Sequence, residues 1–215
     1  MPHSPSVIAG IDEAGRGALA GPVVAAACIL RQAQGALPSF IRDSKQLAPE
    51  EREEAFLWIR EHCTFGIGMT DARVIDTAGI LAATESAMQQ AVAHLARTIV
   101  PTYLLIDGRD KFWFDYPHSS LIRGDQLEPC ISAASIVAKV TRDHLMIEAS
   151  ADFPLYGFSE HKGYGAPLHF VAIEKYGTCP IHRTTFLRKF LTEKLAAVAS
   201  SATPKGRPQR GRPAA

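Results

Sequence analysis

Short apolar runs that end in an acid or a glycine alternate along this chain with longer stretches whose apolar residues recur at helical spacing. Val7-Ile8-Ala9-Gly10-Ile11 is apolar, β-capable and followed at once by Asp12 and Glu13, so it predicts a buried strand that carries two acids at its end. Pro22–Leu30 predicts a second strand and Thr64–Met69 a third, with a helix over 49–62 between them. Leu47-Ala48-Pro49-Glu50-Glu51 marks the start of that helix, with proline and acids in the first turn complementing its dipole. Residues 71–99 are Ala-rich, and Ile80, Ala83, Ala87, Ala91 and Leu95 fall at near-helical spacing, which predicts one or two helices. Tyr103–Ile106, followed by Asp107 and Gly108, repeats the opening design. A further strand is predicted through Ser119–Ile122 up to Arg123-Gly124-Asp125, then a long helix from Cys130 to about Ala151. After Gly157 comes a loop rich in His, Gly and aromatics, and then a helix around residues 166–176.

Composition places these elements in one main α/β domain, since 215 residues with 47% hydrophobic and 21% charged content suit an ordinary globular core. Beyond about residue 198 the Ser/Ala/Pro/Gly/Arg composition cannot form a core, so the expected organisation is a domain over 1–198 and a disordered basic tail over 199–215. The tail holds Lys205, Arg207, Arg210 and Arg212 and no acid, which leaves 19 basic against 22 acidic residues in positions 1–200. A nucleic-acid partner would therefore have to be met by locally concentrated cations. Cys28, Cys63, Cys130 and Cys179 are widely spaced with no local Cys/His ligand pattern, which speaks against a zinc site and for reduced thiols. With no signal-peptide pattern and no apolar run long enough for a bilayer, a cytoplasmic protein without membrane attachment is expected.

Asp12-Glu13-Ala14-Gly15-Arg16-Gly17 carries the densest chemistry. Neighbouring side chains on a straight strand point to opposite faces, so Asp12 and Glu13 share a site only where the strand ends or twists. Gly15 and Gly17 supply freedom there and let backbone N–H groups approach a ligand. Clustered carboxylates repel one another unless protons or a cation intervene. Mg²⁺ is the first suspect, because it prefers oxygen ligands shared with substrate phosphate, beside which Arg16 is also useful. Asp12 with Glu13, Asp107 and Asp125 stand at three strand ends, and four acids converging on one sheet edge can hold two ions about 3.5–4 Å apart for in-line attack on a phosphodiester. Each has a plainer alternative: an acid pair before a glycine turn is also a common polar strand end, Asp107 before Gly108 also suits a turn, and Asp125 after Gly124 a helix cap.

The sequence resembles ribonuclease HII through Gly10–Gly17, Asp43-Ser44-Lys45-Gln46-Leu47, Leu105–Gly108, Arg123-Gly124-Asp125, Ile131–Asp143 and His161-Lys162-Gly163-Tyr164-Gly165, in the family's order over about residues 7–190. That resemblance implies a ribonuclease H-like fold, a mixed central sheet flanked by helices with a helical C-terminal part, and Mg²⁺- or Mn²⁺-dependent hydrolysis of RNA joined to DNA with two ions. It also implies that Asp12, Glu13, Asp107 and Asp125 are the catalytic and metal-binding acids. By the same resemblance the backbone of Gly15, Arg16 and Gly17 reads the ribose 2′-OH, and Tyr164 stacks on the sugar after the ribonucleotide. A ring packed flat on a deoxyribose leaves no room for the next 2′-OH, so incision is expected 5′ to a single ribonucleotide in duplex DNA, leaving a 3′-OH and a 5′-phosphate.

Lys45, Lys139, Lys162 and Arg183 match phosphate-contact positions, or else are solvated surface charges. His161 and His182 are expected near the site as hydrogen-bonding histidines. Arg123 stands where most family members carry lysine, and Gly165-Ala166 replaces the more usual Gly/Pro-Thr. The segment Arg210-Gly211-Arg212-Pro213 resembles an AT-hook core for A·T-rich minor grooves, against the plainer reading of a phosphate-attracting tail. The expected partners are RNA–DNA hybrids and ribonucleotide-containing duplex DNA, met by a monomer. Competing readings are a binding protein that has lost catalysis and a hybrid-specific enzyme of the ribonuclease HIII kind. The four acids argue against the first, Tyr164 against the second.

Overall fold

The computed structural model describes residues 6–31, 38, 41 and 47–202, with side chains as far as residue 193. Five strands form one mixed sheet in the order β3-β2-β1-β4-β5. They are β1 (Ile8–Ala14), β2 (Val23–Leu30), β3 (Cys63–Thr70), β4 (Tyr103–Asp107) and β5 (His118–Leu121). β1, β2 and β3 are antiparallel neighbours, whereas β4 runs parallel to β1 and β5 parallel to β4. The helices are α1 (Pro49–His62), α2 (Ala72–Ala78), α3 (Ile80–Ala96), α4 (Gly124–Leu127), α5 (Pro129–Asp152), α6 (Phe158–His161), α7 (Pro167–Tyr176) and α8 (Thr184–Ala202).

Local chemistry sets several of these boundaries. Pro49 opens α1, and Glu51 accepts the Ala48 N–H at 2.8 Å from within the first turn. Asp71 caps α2 by accepting the Val74 N–H at 2.8 Å. Gly79, at φ 85°, then breaks the Ala-rich stretch into two helices.

Helices cover both faces of the sheet. α3 comes down to backbone contact on β3, where a Cβ at Gly66 or Gly68 would lie 2.2 Å from the carbonyl oxygens of Ala91 and Ala87. On the other face, Ala26 and Cys28 of β2 share one apolar cluster with Ala55 and Ile59 of α1 and Ala133–Ala134 and Ile136–Ala138 of α5. A Cβ at Gly10 would lie 2.2 Å from the carbonyl carbon of Cys130, so the start of α5 rests directly on β1 two residues before Asp12. Glycine is required there by space, and that contact sets the height of α5 against the acid-bearing strand.

The chain divides into two compact units, Met1–Arg183 and Thr184–Ala215. The first holds the sheet and seven helices, and the second contributes α8. That helix runs to Ala202, so residues 199–202, expected in the tail, are helical. Serine and alanine are compatible with a continuing helix even where they cannot build a core. Lys45 and the remaining tail, with Lys205, Arg207, Arg210 and Arg212, lie outside the described residues. No described helix is long and apolar enough to cross a membrane.

Candidate active site

Asp12 lies inside β1 rather than after it, because pairing with β2 continues through Glu13↔Ala25 and Ala14↔Val24. Asp12 pairs with Ala26, which packs under α5, so its side chain faces that helix. There it accepts a hydrogen bond from the Ser135 hydroxyl, and its Oδ1 takes its neighbour's N–H, that of Glu13, at 2.7 Å. On β4 the last register pair is Ile11↔Ile106, which brings Asp107 level with Asp12 on the adjoining strand. Asp107 Oδ1 accepts the Gly124 N–H at 2.8 Å. That bond ties β4 to the start of α4, whose second residue is the buried Asp125. Arg123 makes the turn into α4 in the left-handed region, at φ 58° and ψ 39°. The carboxyl ends of two parallel strands thus gather the acids, the usual position for a site in an α/β sheet.

Glu13 alternates to the opposite face, and there its Oε1 meets Arg16 Nη1 at 3.2 Å. Arg16 Nη1 also meets Asp110 Oδ2 at 2.8 Å, so one guanidinium bridges β1 and the segment after β4. Burial, then the charges of Glu13 and Asp107, hold the Asp12 carboxyl well above the usual carboxylate range. Burial raises Glu13 as well, against the opposing pull of Arg16. Carboxylates buried beside other acids favour either protons or a cation. Their donor atoms, all hard carboxylate oxygens, fit Mg²⁺ or Mn²⁺ and not a soft metal. Among the described residues no group of three or more His, Cys, Asp or Glu side chains is drawn together closely enough to hold a metal ion by itself.

Beside the acids, the turn after β1 is sewn to the Lys162–Tyr164 loop. Gly15 adopts φ 93°, and a Cβ there would lie 2.0 Å from Arg142 Nε. Arg142 of α5 is fully buried and donates to the carbonyls of Pro22 at 2.9 Å, Lys162 at 2.9 Å and Ala20 at 3.0 Å. The N–H groups of Leu19 and Ala20 donate to the Gly163 carbonyl at 2.8 and 3.2 Å. Arg183 is also fully buried, and it donates to Gly21 O at 2.8 and 3.0 Å and to Arg16 O at 2.9 Å. This corrects the expectation of a phosphate contact: its guanidinium holds the Arg16 carbonyl of the glycine-arginine-glycine turn and the Gly21 carbonyl before β2. Burial, with the nearby Arg142 charge, lowers its pKa to about 10.

Tyr164 is 36% exposed, its ring centroid 5.1 Å from Arg142 Cζ and 5.5 Å from Lys139 Nζ. Lys139 pairs with Asp143 at 2.8 Å, and Lys162, at φ 51°, reaches the Ser159 carbonyl with its ammonium. His161 and His182 are hydrogen-bonded, as expected, and both meet His169, His161 stacked on its ring and His182 tilted against it. The sequence reading missed Ser135, Arg142, Asp110 and His169. Arg142 and Ser135 lie in the quoted Ile131–Asp143 run, but nothing in spacing alone separates a helix residue facing the acids from one facing the core.

A sheet in this order, with acids on its adjoining parallel strands, defines a nuclease of the ribonuclease H-like class. The sequence profile of ribonuclease HII matches residues 9–189. Ribonuclease HII of Geotalea uraniireducens (strain Rf4) is 52% identical over 180 residues, which cover 83% of this chain and 82% of that protein. Among solved structures, ribonuclease H2 from Pyrococcus horikoshii OT3 superposes with a TM-score of 0.66 at 24% identity, covering 86% of this chain and 97% of that one. Bst-RNase HIII in complex with Mn²⁺ gives a TM-score of 0.63 at 18% identity, covering 93% and 72%. The chain belongs to the ribonuclease HII family, and as such is an endoribonuclease of the ribonuclease H kind.

Proposed function

We propose that this protein hydrolyses the RNA strand of RNA–DNA hybrids and incises duplex DNA 5′ to a single embedded ribonucleotide, leaving a 3′-OH and a 5′-phosphate. The observation that supports the reading is buried Asp12 beside half-buried Asp107 on the adjoining strand, with Asp107 bonded to the backbone that presents the buried Asp125. Asp12, Glu13, Asp107 and Asp125 would hold two Mg²⁺ or Mn²⁺ ions. Such ions would supply a lowered pKa for an attacking water and charge stabilisation for the leaving 3′ oxygen.

The remaining roles belong to the chain itself. The backbone of Gly15, Arg16 and Gly17 reads the 2′-OH, and space for a ribose is supported at Gly17, where a Cβ would meet nothing within 4 Å. Tyr164 lays its ring on the sugar that follows the ribonucleotide, and Lys139, Lys162 and Lys45 contact phosphates. The basic tail adds encounter with DNA by attracting its phosphates. The enzyme works as a monomer in the cytoplasm.

Incision of a labelled duplex containing one ribonucleotide, with Mg²⁺ or with EDTA, tests the reading on the native chain and on Asp12→Asn. Metal-dependent cleavage on the 5′ side, abolished by the substitution, is expected. Binding without cleavage in either Mg²⁺ or Mn²⁺ would turn the reading to a non-catalytic binding protein.

A further inference from the structure

We propose that the groove on the β5 side of Asp107 is a subsite for the backbone phosphates of the nucleotides 5′ to the incision. The inference rests on the function proposed above and adds a direction to it. The groove holds about 490 Å³ and is lined by Arg109, Lys111, His118, Ser119, Ser120 and Ile122 around Gly108. Its lining holds two permanent cations, two hydroxyls and an imidazole, and no acid. Such a set suits phosphodiester oxygens.

Two observations place it on the substrate path. The sheet order β3-β2-β1-β4-β5 puts Asp12 and Asp107 on a neighbouring pair, the central strand β1 and β4. Tyr164 is held on the β2 side of that pair, because its loop bonds Leu19 and Ala20 between β1 and β2. The groove lies on the opposite side, between the end of β4 and β5. A strand whose ribonucleotide and following sugar lie toward Tyr164 crosses the acids at the scissile phosphate and continues toward β5 with its 5′ portion.

The lining is also a built surface rather than a loose loop. Ser120 Oγ donates to the Asp110 carbonyl at 3.0 Å, and Phe112 and Phe114 are each only 6% exposed, which pins the segment after Gly108. Within it Arg109 and Lys111 line the groove, while the intervening Asp110 pairs with Arg16 at 2.8 Å. Asp110 is thereby neutralised by a cation of the turn after β1. His118 is set by a 2.8 Å bond from Nδ1 to the Tyr116 carbonyl and an edge contact with Phe114.

The test compares the native chain with the double substitution Arg109→Ala, Lys111→Ala on two duplexes containing one ribonucleotide, one with ten nucleotides 5′ to it and one with a single nucleotide. On the long duplex KM should rise about tenfold with kcat within twofold, and the dependence of log KM on log salt should flatten by about 1–2. On the short duplex the two proteins should match. Lys111→Glu should weaken the long duplex further, and methylphosphonates at the first phosphates 5′ to the cut should erase the difference between native and variant. Equal KM on the long duplex, or the same loss on both, overturns the subsite. Should the native chain cleave neither duplex, the proposed function fails; anisotropy binding of both in EDTA still decides the subsite by the same long-against-short comparison.

Discussion

His169 Nε2 lies 3.0 Å from His182 Nε2, and the bonds on either side fix which ring carries the shared proton. His169 Nδ1 is 2.8 Å from the Tyr164 carbonyl, so it donates and leaves its Nε2 as an acceptor. His182 Nδ1 accepts the Cys179 N–H at 2.9 Å, so its Nε2 is the donor. The chain from Cys179 through both rings to Tyr164 is complete only while both imidazoles are neutral. Ala20 meanwhile bridges to His182 as an antiparallel pair, which links the same histidine to the turn after β1.

Acid should therefore loosen the Tyr164 loop. Burial lowers both pKa values, that of His169 against the bond to Tyr164, and that of His182 to about 4 with help from His169. A histidine depressed in the fold takes up its proton more readily when unfolded, so stability is full above about pH 6.5 and falls as pH drops toward 4, by up to about 1.4 kcal/mol per pH unit for each group. Urea unfolding at pH 7.5, 6 and 5 measures it. His182→Phe should cost about 1–3 kcal/mol at pH 7.5, because Cys179 N–H and His169 lose their partners, and should flatten the acid slope. A slope identical to that of the native protein would remove His182 from this account.

Tyr164 is exposed between Lys139 and Arg142, and its ring is proposed to contact substrate. Tyr164→Ala should lower incision at a single ribonucleotide at least tenfold, with a smaller effect on a continuous hybrid, whereas Tyr164→Phe keeps the stacking face and most of the rate. Unchanged single-ribonucleotide incision by Tyr164→Ala would end the stacking role.

The two glycines around Arg16 should separate under substitution. Gly15→Ala forces a Cβ to within 2.0 Å of Arg142 Nε at φ 93°, and Arg142 is locked by three carbonyls. A loss of about 2–4 kcal/mol is expected from strain and overpacking together. Gly17→Ala meets nothing within 4 Å in the free protein, so its melting temperature should hold. Its KM for ribonucleotide-containing duplex should rise if the ribose sits against this backbone; native KM with the alanine in place would place the ribose elsewhere.

The acid-bearing strands were legible in the sequence because their signal is local: an apolar run, then Asp12 or Asp107. Strand boundaries fell within a few residues for the same reason. Arg183 was misread because motif position says nothing of depth, and its two carbonyl partners, those of Arg16 and Gly21, are some 160 residues away in the chain. Where the side chain of Glu13 points was not legible, because β1 continues past both acids and sends Asp12 and Glu13 to opposite faces. The pairing of Asp110 with Arg16 and of His169 with His182 depends on loops meeting in space, and no spacing rule encodes it.

Asp12 itself predicts a conflict between stability and function. Its carboxyl is buried, and its raised pKa means that the fold disfavours the charged form, so its contribution to stability is fullest below pH about 3.8 and is lost as pH rises through the higher folded value. Asp12→Asn removes the charge and keeps an Oδ1 to accept the Glu13 N–H. At pH 7.5 in EDTA the variant should be about 0.5–2 kcal/mol more stable than the native protein. Adding Mn²⁺ should raise the native melting temperature by mass action and leave the variant unmoved, so the order of stabilities should close or reverse with metal. Equal stabilities in EDTA would mean that solvent, Ser135 and the Glu13 amide already satisfy the ionised carboxylate; equal responses to Mn²⁺ would mean that the ion is bound without Asp12.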